Sequence, residues 1–152
     1  MAVETHRERH VVGPVELPDH ADFARADLEV YGINHFRPSY TCHVYLNAPK
    51  TDDLATSHES YAGSFSIFGH QRCSGSEGHC DVHEALRRFD DRPSHPLTRA
   101  FKRVVITDAL RRTLETGAKH LTITFVVVAP AEDLSPGEPV LDYQGLRIST
   151  FD

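Results

Sequence analysis

Five side chains able to ligate a metal or form a disulfide crowd into fourteen residues: His70, Cys73, His79, Cys80 and His83. They surround a glycine-rich turn, Ser74-Gly-Ser-Glu-Gly78, and account for two of the three cysteines and three of the eleven histidines. His70-x2-Cys73 and Cys80-x2-His83 form symmetric half-sites six residues apart. Zinc takes four nitrogen or sulfur ligands in a tetrahedron, and a two-residue spacing lets one turn supply two of them. A structural site of that kind contributes on the order of 10 kcal/mol to folding. The same thiols could instead close a Cys73–Cys80 disulfide, worth about 2–3 kcal/mol in the chain-entropy model for so short a loop. Gly75 and Gly78 permit the tight turn. The third reading leaves free thiols and solvated imidazoles in a surface loop. The spacing alone keeps all three open.

Other chemistry is thinner. A nucleophilic thiol needs a base held by a third group; His58, His79, His95 and His120 are candidate bases, and the spacing does not choose among them. His79-x3-His83 would put two imidazoles on one helical face, as dinuclear copper sites do, but such sites gather histidines from several helices. His6-x3-His10 lies in the charged N-terminal segment. Cys42 alternates with Tyr40 and Val44, the pattern of a small buried hydrophobe. Arg87, Arg88, Arg111 and Arg112 read as solvated faces, and Asp52-Asp53 and Asp90-Asp91 as loop carboxylates. There is no phosphate-binding loop, dinucleotide fingerprint or Gly-x-Ser-x-Gly elbow.

The bulk properties bound the partners. A chain of 152 residues fits one domain. Hydrophobic content of 39% and charged content of 25% suit a soluble globular protein. A net charge of −6 with no basic run argues against nucleic acid. No apolar stretch approaches a membrane span. The N-terminus lacks the apolar run of a secretory signal, so the expected location is cytoplasmic, or exported with a partner. Reducing conditions there favour thiols or metal ligands over a disulfide.

The elements that must position these residues are mostly strands. Residues 1–25 read as a flexible arm or an edge segment, and 26–152 as a single domain. Leu28–Ile33, Tyr40–Leu46, Tyr61–Phe68, Phe101–Ile106, Leu121–Val128 and Leu146–Phe151 are strand candidates. Tyr40, Cys42, Val44 and Leu46 should share one face, with Thr41, His43 and Tyr45 on the other. Tyr61, Phe65 and Ile67 should point together, and Gly63 marks a bulge or a close backbone approach. Leu121, Ile123, Phe125 and Val127 form another apolar face. Glu84–Phe89 could make one helical turn. One helix is expected at 108–116, capped by Thr107, with Gly117 at its C′ position and Ala109, Leu110, Thr113 and Leu114 as its packed stripe. The expected fold is all-β: an antiparallel, jelly-roll-like β-sandwich of about seven strands with one short helix.

Several motifs in order carry a resemblance: Tyr40-x4-Tyr45-Leu-Asn47-x-Pro49, Tyr61-Ala-Gly-Ser-Phe-Ser-Ile-Phe-Gly69, Glu77-Gly-His-Cys-Asp-Val82 and Arg103-Val-Val-Ile-Thr-Asp108, leading into Leu121-Thr-Ile-Thr-Phe125. Over roughly residues 26–130 the chain resembles the C-terminal β-sandwich domain of type-3 copper proteins: tyrosinases, polyphenol oxidases and molluscan haemocyanins. His83 stands where the family pattern has proline. The resemblance implies a domain that packs over a separate, helical dicopper domain and often plugs its entrance with a side chain; Phe36, Tyr45 and Phe68 are candidates here. The implied function is a non-catalytic accessory subunit, lid or maturation partner of a tyrosinase-like oxidase, with the copper-bearing catalytic subunit as partner. The alternatives are a self-sufficient metal-binding module, with His70, Cys73, Cys80 and His83 holding zinc or delivering copper, and a small enzyme built on the same cluster.

Overall fold

A computed structural model describes residues 4–71, 98–134 and 137–152. Seven strands are described in order: β1 (Thr5–Val15), β2 (Arg25–Ile33), β3 (Tyr40–Leu46), β4 (Tyr61–Ile67), β5 (Ala100–Val105), β6 (Leu121–Pro130) and β7 (Gly145–Phe151). Among the described residues one α-helix, α1 (Thr107–Glu115), joins β5 to β6. The strands pair antiparallel into two sheets, ordered β1-β6-β3-β4 and β5-β2-β7. The fold is the expected β-sandwich with a short helix.

The core lies between the sheets and follows the period-two patterns. Cys42, Val44, Leu121, Ile123, Phe125 and Val127 from the four-stranded sheet are fully buried, as are Ala26, Leu28 and Val30 from β2. Phe65 and Phe125 meet edge to face at 6.4 Å. Central β6, paired on both sides, buries its odd-numbered residues in this core.

Residues 5–15 are not a loose arm. They form the edge strand β1, in register with β6 from Thr5↔Pro130 to Val12↔Ile123. The polar run Thr5-His-Arg-Glu-Arg-His10 hides its strand character because its outward residues do polar work. Arg7 donates to the Leu54 carbonyl at 3.1 Å and Arg9 to the Pro49 carbonyl at 2.9 Å. These arginines strap the 47–60 loop across the outer face of the sheet. Beneath it Tyr45, Leu54 and Val126 make a second small core.

Tyr61 joins that second core rather than pointing with Phe65 and Ile67. The pairing of β3 with β4 shifts between Val44↔Gly63 and Tyr45↔Tyr61, so one extra residue sits on β4 and Tyr61 turns to the outer face. Gly63 makes the bulge feasible. Its φ is +143°, and a Cβ there would lie 2.6 Å from the Val104 side chain of the opposite sheet.

Helix α1 buries Ala109 and Leu110, while Leu114 packs at the margin. Gly117, at φ +72°, ends it as expected, its N–H donating to the Leu114 carbonyl at 2.9 Å. The expected Thr107 cap is absent: among the described residues no side chain caps the N-terminus. The Thr107 hydroxyl instead accepts from the Ala26 N–H at 3.0 Å, latching the helix entry to β2. Thr107→Val should therefore leave the buried Ala26 N–H without its acceptor and lower stability by about 1–2 kcal/mol, whereas Thr107→Ser should be near neutral. Native-state exchange checks the cause: the Ala26 amide should lose protection. Selective loss at the first turn of α1 would restore the capping role.

Candidate functional site

Of the expected quartet, His70 lies within the described residues; Cys73, Cys80 and His83 lie outside them, as do His79, His95 and the 84–89 turn. His70 has a neighbour that spacing did not reveal. The β3–β4 register pairs Tyr40 with Ile67, so the segments flanking that pair, residues 35–39 and 68–70, meet at one end of the sandwich. Two polar contacts fasten them: the His70 N–H donates to the His35 carbonyl at 2.6 Å, and the Gly69 N–H to Ser39 Oγ at 2.9 Å.

Side chains of this tip stack in a chain. The His35 and His70 rings lie 5.0 Å apart, edge to face at 69°. Phe36 lies 5.4 Å from His35, and Phe68 lies 5.3 Å from His70. The phenylalanines reach solvent, at 52% and 79% exposure, while Nε2 of His35 and Nδ1 of His70 are shielded and find no hydrogen-bond partner among the described residues. A cleft of about 220 Å³ opens beside the tip between Phe36, Pro38, Gln71 and Val140. Arg37 and Glu138, which also line this cleft, form an ion pair.

Of the three plugging candidates, the tip unites Phe36 and Phe68. Tyr45 is corrected: it is fully buried under the 47–60 loop, its hydroxyl donating to the Leu54 carbonyl at 3.2 Å. Burial pushes the Tyr45 phenol up from its ordinary range. It has no surface to present to a partner.

The remaining candidates read structurally. Cys42 is fully buried, and burial alone pushes its thiol far above the thiolate range, so it is an inert core residue. His58 Nδ1 accepts from the Ser60 N–H at 3.1 Å and lies 2.7 Å from Ser60 Oγ. That is a local loop cap at the rim of a groove of about 470 Å³ shared with Arg112 and Thr116. Among the described residues no carboxylate orients His58, so the pair lacks the third member of a catalytic set. The His120 carbonyl accepts from the Asn47 side chain at 3.0 Å. His43 is held below its usual range by burial and then by Arg7. Among the described residues no group of three or more His, Cys, Asp or Glu could hold a metal ion. These residues therefore do not fit a dicopper centre.

A second cluster lies on the outer face of the three-stranded sheet. The register aligns Glu29 with Arg103 on one side and Arg147 on the other. Arg103 donates to Glu29 Oε1 at 2.9 Å, Arg147 bonds Oε2, and the Ser149 hydroxyl donates to Oε2 at 3.0 Å. Arg25 holds the neighbouring Asp27 at 2.7 Å. Both carboxylates are buried beneath guanidinium groups. Hydrogen bonds from Arg147 and then Arg103 hold Glu29 down at about 2. Every donor here is matched by an acid of the same sheet, which marks a structural lock.

No family model matches the chain, and no curated protein matches it in sequence. Among solved structures it is similar to a latent aurone synthase (polyphenol oxidase) from natural source, with TM-score 0.52 and 16% identity over 95% of this chain and 24% of that chain. A recombinantly expressed latent aurone synthase matches with TM-score 0.49 and 18% identity, over 97% of this chain and 24% of that one. The chain thus spans about a quarter of the length of these oxidases. At 16% identity the first likeness is one of fold.

Proposed function

We propose that this sandwich is a non-catalytic accessory domain that docks on the copper-bearing part of a type-3 copper oxidase and shields its entrance. The observation that carries this reading is the two-sheet fold matching one quarter of a polyphenol oxidase chain, in keeping with the ordered motifs from Tyr40 to Phe125. The tip supplies a means. Phe36 and Phe68 project from a fastened pair of loops, and a rigid aromatic presented at low entropic cost is what a narrow apolar entrance accepts.

Co-expression with a polyphenol oxidase catalytic domain tests this. The two should co-purify, and oxidation of a diphenol should be slower in the complex. Phe68→Ala should relieve that slowing several-fold while leaving co-purification intact. Failure to co-purify, with oxidase turnover unchanged by this chain, would overturn the reading.

A further inference from the structure

We propose that His35 and His70 form a two-imidazole site for a divalent transition-metal cation of the Cu(II) or Zn(II) type. The site stands whether or not the sandwich docks on an oxidase, and it uses neither thiol of the 73–80 segment. Three observations converge on it.

The first is unmet hydrogen bonding. Nε2 of His35 and Nδ1 of His70 are both shielded from solvent and unpartnered among the described residues. A buried ring nitrogen without a partner has given up its hydrogen bond to water and gained none in return. Six other shielded polar atoms also lack a partner among the described residues; these two stand apart because they lie on touching rings, where one occupant can serve both.

The second is distance. Imidazole nitrogen binds zinc at about 2.0–2.1 Å, which places each ring centroid about 3.2 Å from the metal. Ligand angles between about 90° and 109°, square or tetrahedral, then put the two centroids about 4.5–5.2 Å apart. The observed separation of 5.0 Å falls inside that window.

The third is preorganisation. The His70 N–H to His35 carbonyl bond and the Gly69 N–H to Ser39 bond fix both backbones. Phe36 and Phe68 wall the rings on either side. A site whose ligands are held before binding loses little entropy on closing. Two protein ligands leave the other positions to water or to a group on a partner.

The test is a titration of the full chain with Cu(II), followed through the histidine ring signals by NMR. The paramagnetic ion should broaden His35 and His70 together, ahead of the other nine histidines. His35→Gln should weaken the broadening of His70 about tenfold or more, and His70→Gln should do the same to His35. Both variants keep a polar side chain of similar size, and an unchanged melting curve shows that they fold. A triple variant, Cys73→Ser with Cys80→Ser and His83→Gln, should leave the pair's response unaltered. Two results would overturn the site: broadening of His70 that ignores His35→Gln, or loss of the response in the triple variant, which would assign the ion to the 73–83 cluster.

Discussion

Replacing Arg103 and Arg147 together by methionine should lower stability by about 3–5 kcal/mol, whereas replacing both by alanine should cost only about 1–2 kcal/mol. The difference lies in water. Glu29 is buried because two long side chains from flanking strands lie over it, one just under half and the other about two thirds in solvent, at 47% and 68% exposure. Methionine keeps an apolar lid over the carboxylate and removes the charges beside it, leaving a buried anion with Ser149 as a remaining donor. Alanine opens the lid, and water replaces the guanidinium groups. Glu29→Gln should resemble the alanine pair, since the freed arginines can turn into solvent.

The pH dependence gives a second check. With its folded value held down at about 2, Glu29 stabilises the native state fully above its ordinary range near 4.5. That contribution is lost as pH falls from about 4.5 toward 2. In the methionine variant burial is opposed only by the Ser149 hydrogen bond, so the carboxyl rises from its held-down value and acid should relieve the strain there. Urea unfolding at pH 7 and pH 3 should thus show the gap between the parent and the methionine variant shrinking at the lower pH. A gap equal at both values, or an alanine pair as damaging as the methionine pair, would mean that Glu29 is not sealed.

What was legible in the sequence depended on periodicity. Strands β3 and β6 declare themselves because a half-buried sheet enforces alternation, and Cys42 and Val127 fell where the pattern put them. Strand β1 did not, because its outward positions carry arginines that hold a loop, and a charged edge looks like a tail when its cargo is distant in sequence. Tyr61 was misplaced by one bulge, since a single inserted residue reverses every facing before it. Thr107 has the right type for a cap, yet β2 takes its hydroxyl, a competition invisible to local spacing. The tip was half visible. Phe36, Phe68 and His70 stand out in the sequence, but His35 has no local signal tying it to His70 across thirty-five residues. Only the Tyr40↔Ile67 register brings them together. The Glu29 lock escaped for the same reason.

Gly69 should be the residue on which the tip depends. A Cβ added there would lie 2.0 Å from the Arg37 carbonyl oxygen, 2.3 Å from the Pro38 carbonyl carbon and 2.5 Å from the Ser39 nitrogen. All three are backbone atoms, so no rotamer change relieves the clash. The 35–39 segment must move away, breaking the bonds from Gly69 to Ser39 and from His70 to His35. Overpacking and two lost hydrogen bonds together should cost Gly69→Ala about 3 kcal/mol. That corresponds to a melting temperature lower by roughly 6–12 °C in a domain of this size. Gly117→Ala is the control. It meets no atom within 4 Å and pays only for a left-handed φ, so it should cost about 1 kcal/mol. Gly69→Ala should also uncouple His35 from His70 in the Cu(II) titration and weaken any shielding by Phe68, because both depend on the same fastened loops. A Gly69→Ala protein as stable as the parent, with the two histidines still responding together, would show that the tip tolerates separation and that its rigidity is not what positions these four side chains.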